Sequence, residues 1–241
     1  MARDSSARRV RCLETSTLSF ELEAALRRLR PQRIRRLSRR TDDRLPWVHE
    51  APLIGTPVLL DSTVYIDTLQ GRSPASLDTL ISMRLCNHSS VCVSELAYAF
   101  GRLSPEDSRT APALKAIGQV LKEFPTHRIQ TPDAETWGLA GILSGLLARL
   151  AADDTRAKQR RLNDALLYLQ GTKFGWPVVT GNIEDFDLLN QLVPDGRILL
   201  YRKAANCRVR RNARRRYGKL EVTESGGRSR RRKRGTRALK L

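Results

Sequence analysis

From Gly55 to about Tyr201, short apolar runs alternate with longer stretches in which apolar residues recur every three or four positions. Pro57-Val58-Leu59-Leu60, Val91-Cys92-Val93, Pro177-Val178-Val179-Thr180 and Arg197 to Tyr201 are read as strands, with His127 to Gln130 as a shorter one. Unbroken apolarity suits a strand covered on both faces of a parallel sheet. Between the runs, helical spacing predicts helices over Ser76–Leu85, over Glu95–Leu103 with Ser94 as N-cap, and over Pro112–Phe124. Pro132 and Asp133 open an apolar helix through Leu150, followed by a polar helix from about Thr155 to Gln170 that Gly171 stops. Glu184 to Leu189 is a short helix. This alternation predicts an α/β fold with a central parallel sheet. Upstream, Leu18, Leu22, Leu26 and Leu29 share a helical face behind Ser16 or Thr17, and Pro31 ends that helix, which either packs on the body or stands as an appendage. No internal repeat is found.

Charge divides the 241 residues, whose net is +19, into three parts. Residues 1–50 hold 13 basic and 7 acidic side chains, and 202–241 hold 17 and 2, which leaves 14 and 16 for 51–201. The expected organisation is a basic, partly helical extension over 1–54, a near-neutral α/β domain over 55–203 and an Arg-rich tail over 204–241. The tail has few apolar residues, a Gly226-Gly227 break and an arginine cluster from Arg228 to Arg234, so it is expected to be disordered when free. Basic ends invite a polyanion such as nucleic acid. Arginine outnumbers lysine 36 to 8, however, an excess that a GC-rich genome produces without selection for binding. The sequence contains no run of 18 apolar residues and no apolar segment behind the Arg-rich start, so neither a membrane span nor a secretory signal is expected. Cys12, Cys86, Cys92 and Cys207 form no CxxC pair, which argues against a disulfide framework or structural zinc and for a reducing cytoplasm.

In open parallel sheets, sites gather at the carboxyl ends of the strands. Asp61 directly follows the first strand, Glu95 follows the second, Asp164 lies beside the apolar face of a helix, and Asn182, Asp185 and Asp187 follow Thr180. Clustered carboxylates repel and raise one another's pKa unless a cation sits among them. Oxygen ligands of this kind select Mg²⁺ or Mn²⁺. Turn formers and helix caps are the plainer reading of each acid taken singly. Asp187 is read as a solvated residue of the short helix, and Asp153 and Asp154 as loop or helix-end charges. His49, His88 and His127 lack ligand-like spacing. Trp47, Trp137 and Trp176 are read as packing residues, with stacking on a base as the other reading of Trp47.

Four segments resemble the motifs of PIN-domain nucleases. They are Val58-Leu59-Leu60-Asp61-Ser62-Thr63, Val91-Cys92-Val93-Ser94-Glu95-Leu96-Ala97, Asn163-Asp164-Ala165-Leu166-Leu167 and Val178-Val179-Thr180-Gly181-Asn182-Ile183-Glu184-Asp185-Phe186. They occur in the family's order between about Thr56 and Tyr201, with Gly181 where a basic residue is common and Leu167-Tyr168-Leu169 where Ile-Ala-Ala is frequent. The resemblance implies a PIN-like three-layer α/β/α domain and a metal-dependent endoribonuclease, most like the VapC-type toxins of toxin–antitoxin pairs. Asp61, Glu95 and Asp164 would hold Mg²⁺ or Mn²⁺, and Asp185 would complete the site. Ser62, Thr63 and Asn182 would be accessory. RNA, a cognate antitoxin and a second copy of the chain are the implied partners. A PIN-like module that holds RNA without cutting it is the alternative. A phosphatase or receiver is disfavoured because Asp61-Ser62-Thr63 offers no second acid, and a nucleotide hydrolase because no GxxxxGK[ST] loop exists.

Overall fold

The computed structural model describes residues 20–151 and 158–204. Ser16, Thr17, Leu18, Asp153, Asp154, the start expected for the polar helix at Thr155 and the tail from 205 onward lie outside the described residues. Within them the order is α1 (Leu22–Leu29), β1 (Val58–Leu60), α2 (Ser62–Leu69), α3 (Ala75–Met83), β2 (Cys86–Ser89), α4 (Ser90–Arg102), α5 (Thr110–Lys122), β3 (Ile129–Gln130), α6 (Ala134–Ala151), α7 (Lys158–Phe174), β4 (Val178–Thr180), α8 (Ile183–Leu192) and β5 (Ile198–Leu200). The five strands pair in parallel in the order β3-β2-β1-β4-β5. Val58, Leu59 and Leu60 are all fully buried, although successive strand residues face opposite sides, so helices cover both faces. The α/β class with a central parallel sheet is thus as the alternation implies. The chain runs outward from β1 to β3 and returns on the other side at β4. The resulting switch in strand order lies beside β1, where open sheets of this kind place their crevice.

Several local expectations are corrected. Val91-Cys92-Val93 is not a strand but the first turn of α4, and the second strand is Cys86–Ser89. Ser89, rather than Ser94, caps α4, its hydroxyl accepting the Val91 N–H at 3.1 Å. The β-branched valines suggested a strand, but the cap sets where the helix begins. Asp61 opens directly into α2, a helix the apolar run had hidden. Gly171 does not stop α7, which continues to Phe174. A Cβ at Gly171 would lie 2.5 Å from Val178 Cγ2, so this glycine lets α7 approach β4. Asp187 is fully buried rather than solvated. Its carboxylate accepts Arg40 N–H at 2.7 Å, Arg40 Nε at 2.5 Å and Gln191 Nε2 at 2.9 Å.

That ion pair ties the residues before β1 to the body. Leu29, Leu45, Trp47 and Val48 join the main apolar core. Leu200 N–H donates to Pro46 O at 2.8 Å, and Trp47 forms a parallel bridge with Leu200 along the outer edge of β5. No helix among the described residues is long and apolar enough to cross a membrane.

Candidate active site

The carboxyl ends of β1 and β4, the second turn of α4 and the middle of α7 meet at one edge of the sheet. β1 ends in Asp61, which is 2% exposed. Both Thr63 Oγ1 and Thr180 Oγ1 donate to its Oδ2 at 2.6 Å, and Ser62 Oγ stands 3.4 Å from Oδ1. Two hydroxyls therefore hold one oxygen, and the other stands beside Ser62. A carboxylate oxygen of Asp61, one of Glu95 and the Cys92 sulfur all lie within 4.8 Å of one another. Glu95 in turn accepts Asn163 Nδ2 at 2.8 Å.

Asp164 is 6% exposed, on the inward face of α7. Asn182, the N-cap of α8, donates from one Nδ2 to Asp164 and Asp185, each at 3.0 Å. The structure thus brings Asp61 to Glu95 directly and Asp164 to Asp185 through Asn182. The two pairs also feel each other: burial first, then the charges of Asp61, Asp185 and Glu95, push the Asp164 pKa well above the usual carboxylate range. Burial raises Asp61 against its two threonine hydrogen bonds, and burial followed by Asp61 raises Glu95. Arg160, one helical turn before Asp164 and well exposed, offers the opposing charge, with Nε 3.9 Å from Asp185.

Whether these residues fit a divalent cation follows from their chemistry. Four carboxylates of this sort supply hard oxygen donors, and neighbouring carboxylate charges, after burial, help raise the pKa of Glu95 and Asp164, a repulsion that a cation would relieve. Cys92 does not belong to such a set. Burial pushes its thiol well above the ordinary range, and the protonated sulfur donates to Leu60 O at 3.4 Å. The donors suit Mg²⁺ or Mn²⁺ and not a thiolate-seeking metal.

Ser62, Thr63 and Asn182 all touch this cluster. Sequence reasoning missed Thr180, Asn163 and Arg160. Each had a signal: Thr180 ends β4 beside the acid-bearing loop, Asn163 adjoins Asp164, and Arg160 is four residues before it on a helix. Gly181 has a steric reason, since a Cβ there would sit 3.0 Å from the Tyr201 phenol.

No protein-family profile matches the chain, and no curated protein matches it. Among solved structures it is similar to VapBC2 from Rickettsia felis, in the crystal structure bound to a DNA fragment from their promoter. The identity is 15%, the TM-score is 0.43, and the match covers 61% of this chain and 99% of that one.

Proposed function

We propose that the chain is a metal-dependent endonuclease that hydrolyses phosphodiester bonds of RNA. The observation that carries this reading is the gathering of Asp61, Glu95, Asp164 and Asp185 at one strand-end crevice, where burial, then the charges of the other three, raise the pKa of Asp164. A fold spends stability on such a cluster where it holds cations. A bound Mg²⁺ or Mn²⁺ supplies Lewis acidity and lowers the pKa of a coordinated water. The chain's own residues do the rest. Thr63 and Thr180 fix the rotamer of Asp61, Asn163 fixes Glu95, and Asn182 spaces Asp164 from Asp185. Arg160 at the rim meets the incoming phosphate, the task a basic side chain at the Gly181 position would otherwise have. The motif resemblance favours RNA as substrate and a VapC-like toxin role, in which a partner protein would cover the site.

Cleavage of a labelled single-stranded RNA with Mg²⁺, Mn²⁺ or EDTA tests this reading. Hydrolysis with metal and none with EDTA is expected. Asp61→Asn should lower the rate by more than the roughly 10–100-fold typical of losing an outer partner of a metal ligand. Equal cleavage by wild type and Asp61→Asn would reject the mechanism and favour an RNA-holding module.

A further inference from the structure

A second concavity, of about 330 Å³, opens beside the end of β5, and its lining includes Asp42, Trp47, His49, Ser76, Tyr201 and Arg202. It lies at the carboxyl edge of the sheet, as the carboxylates do. Tyr201 is shared between them: its phenol abuts Gly181, whose N–H donates at 3.0 Å to the Thr63 hydroxyl that holds Asp61. Tyr201, Gly181 and Thr63 therefore connect this recess to Asp61 of the candidate catalytic centre.

The lining combines flat rings with positive ends. Trp47 and His49 stack with planes 25° apart and centroids 6.2 Å apart. Trp47 is nearly buried and its indole N–H donates to Asp42 O at 2.8 Å, so it acts as a fixed backing. The His49 side chain is 63% exposed and leaves a ring face open. The Arg202 guanidinium lies 5.3 Å above the Trp47 ring and is oriented by Asp42, which Arg39 also grips. Ser76 belongs to the first turn of α3, whose N-cap Pro74 gives no side-chain cap and which also carries Asp78, its carboxylate accepting Ser73 Oγ at 2.7 Å. First-turn amides attract anions.

We propose that this recess is a nucleotide subsite that takes one unpaired nucleotide of the RNA strand. The base lies on the His49 ring, and the phosphate lies between Arg202 and the amino end of α3. Rings beside cations are how proteins grip single strands without reading sequence. The inference rests on the RNA reading proposed above and extends it from the carboxylates to the neighbouring strand.

The test is fluorescence anisotropy of a fluorescein-labelled single-stranded oligoribonucleotide with the full chain in EDTA, at several salt concentrations. His49→Ala, at an exposed position, should weaken binding about tenfold, within the roughly 1–3 kcal/mol that one stacked base contributes. That loss should be the same at every salt concentration, because stacking releases no counterions, and His49→Phe should restore the affinity. Arg202→Ala should flatten the dependence of log K on log salt by about 0.7. Duplex RNA of the same sequence should bind His49→Ala and wild type alike, since a paired base cannot enter. A His49→Ala protein that holds the single strand as tightly as wild type overturns the subsite, as does one that loses single strand and duplex equally. Because the measurement needs no cleavage, absent hydrolysis would refute the nuclease reading and leave this result standing.

Discussion

Replacing Glu95 by Gln removes one charge from the cluster and keeps the oxygen that accepts Asn163 Nδ2. Asp61 and Glu95 oxygens lie within 4.8 Å. Two full charges at that separation repel by about 3.5 kcal/mol at an effective dielectric constant near 20. Raised pKa values mean that the pair is not always fully ionised, so the net gain expected for Glu95→Gln without metal is about 1–3 kcal/mol. For a chain of this size that is about 2–4 °C in Tm for each kcal/mol. The pH dependence has a definite sign. Glu95 and Asp61 have folded pKa values raised above the unfolded ones, so their favourable contribution is present in acid and is lost as pH rises through the folded values. The advantage of Glu95→Gln is therefore largest near pH 8 and shrinks toward pH 5. Metal erodes that advantage: wild type at a hundred times the dissociation constant gains about 2.7 kcal/mol, and the variant gains far less. Urea unfolding followed by circular dichroism, in EDTA and then across a Mn²⁺ titration, reads all three effects. A variant no more stable than wild type in EDTA at pH 8, or one whose advantage is unchanged at pH 5, would refute the reasoning.

Other parts of the molecule give independent outcomes. His88 is buried, hydrogen-bonded to Tyr65 at 2.7 Å and stacked on Phe124, and burial followed by Arg128 lowers its pKa to about 4. The unfolded chain takes up a proton near pH 6.5 that the folded one refuses, so stability falls by about 3 kcal/mol as pH drops from 6.5 to 4. The difference in unfolding free energy between pH 7 and 4.5 should be smaller in His88→Gln by most of that amount. Arg40→Ala leaves the buried Asp187 without its ion pair and should cost about 3–5 kcal/mol in urea unfolding, whereas Asp187→Asn should cost less. Removing residues 204–241, which carry net +13, should weaken RNA binding at low salt and flatten its salt slope, while single-turnover cleavage at saturating RNA is unchanged. An identical slope in the shortened protein would assign those arginines to composition.

The parts of this fold legible in the sequence are those whose local chemistry and tertiary role agree. Val58 to Leu60 and Val178 to Thr180 are short, apolar save for the terminal threonine and buried on both faces, and they are strands. β2 escaped notice because Cys86-Asn87-His88-Ser89 is polar in composition, and its buried histidine is satisfied by a tyrosine from α2 rather than by anything nearby in the chain. Val91 to Val93 misled in the opposite direction, because burial on a helix face looks like burial in a strand over three residues. Asp61 and Asp185 were legible from their positions after strands, Glu95 from its place just past an apolar run, and Asp164 from its place beside an apolar helix face. Their holders Thr180 and Asn163 carried only the signal of sequence neighbourhood, since the hydrogen bonds that give them a role cross 119 and 68 residues of chain. Asp187 failed for the same reason: its partner Arg40 lies 147 residues away.

The bridge between Trp47 and Leu200 bears on how the protein can be handled. A boundary drawn at Gly55, where the regular α/β pattern begins, would delete the segment that covers the free side of β5. It would also bare the apolar surface that Leu45, Trp47 and Val48 conceal. An uncovered parallel edge with apolar flanks is a template for pairing with other chains. A fragment that starts at Gly55 would keep every carboxylate of the cluster and still be expected to aggregate. The segment ahead of β1 is in that sense a solubility element, and any shortened form needs to retain it from Arg40 onward.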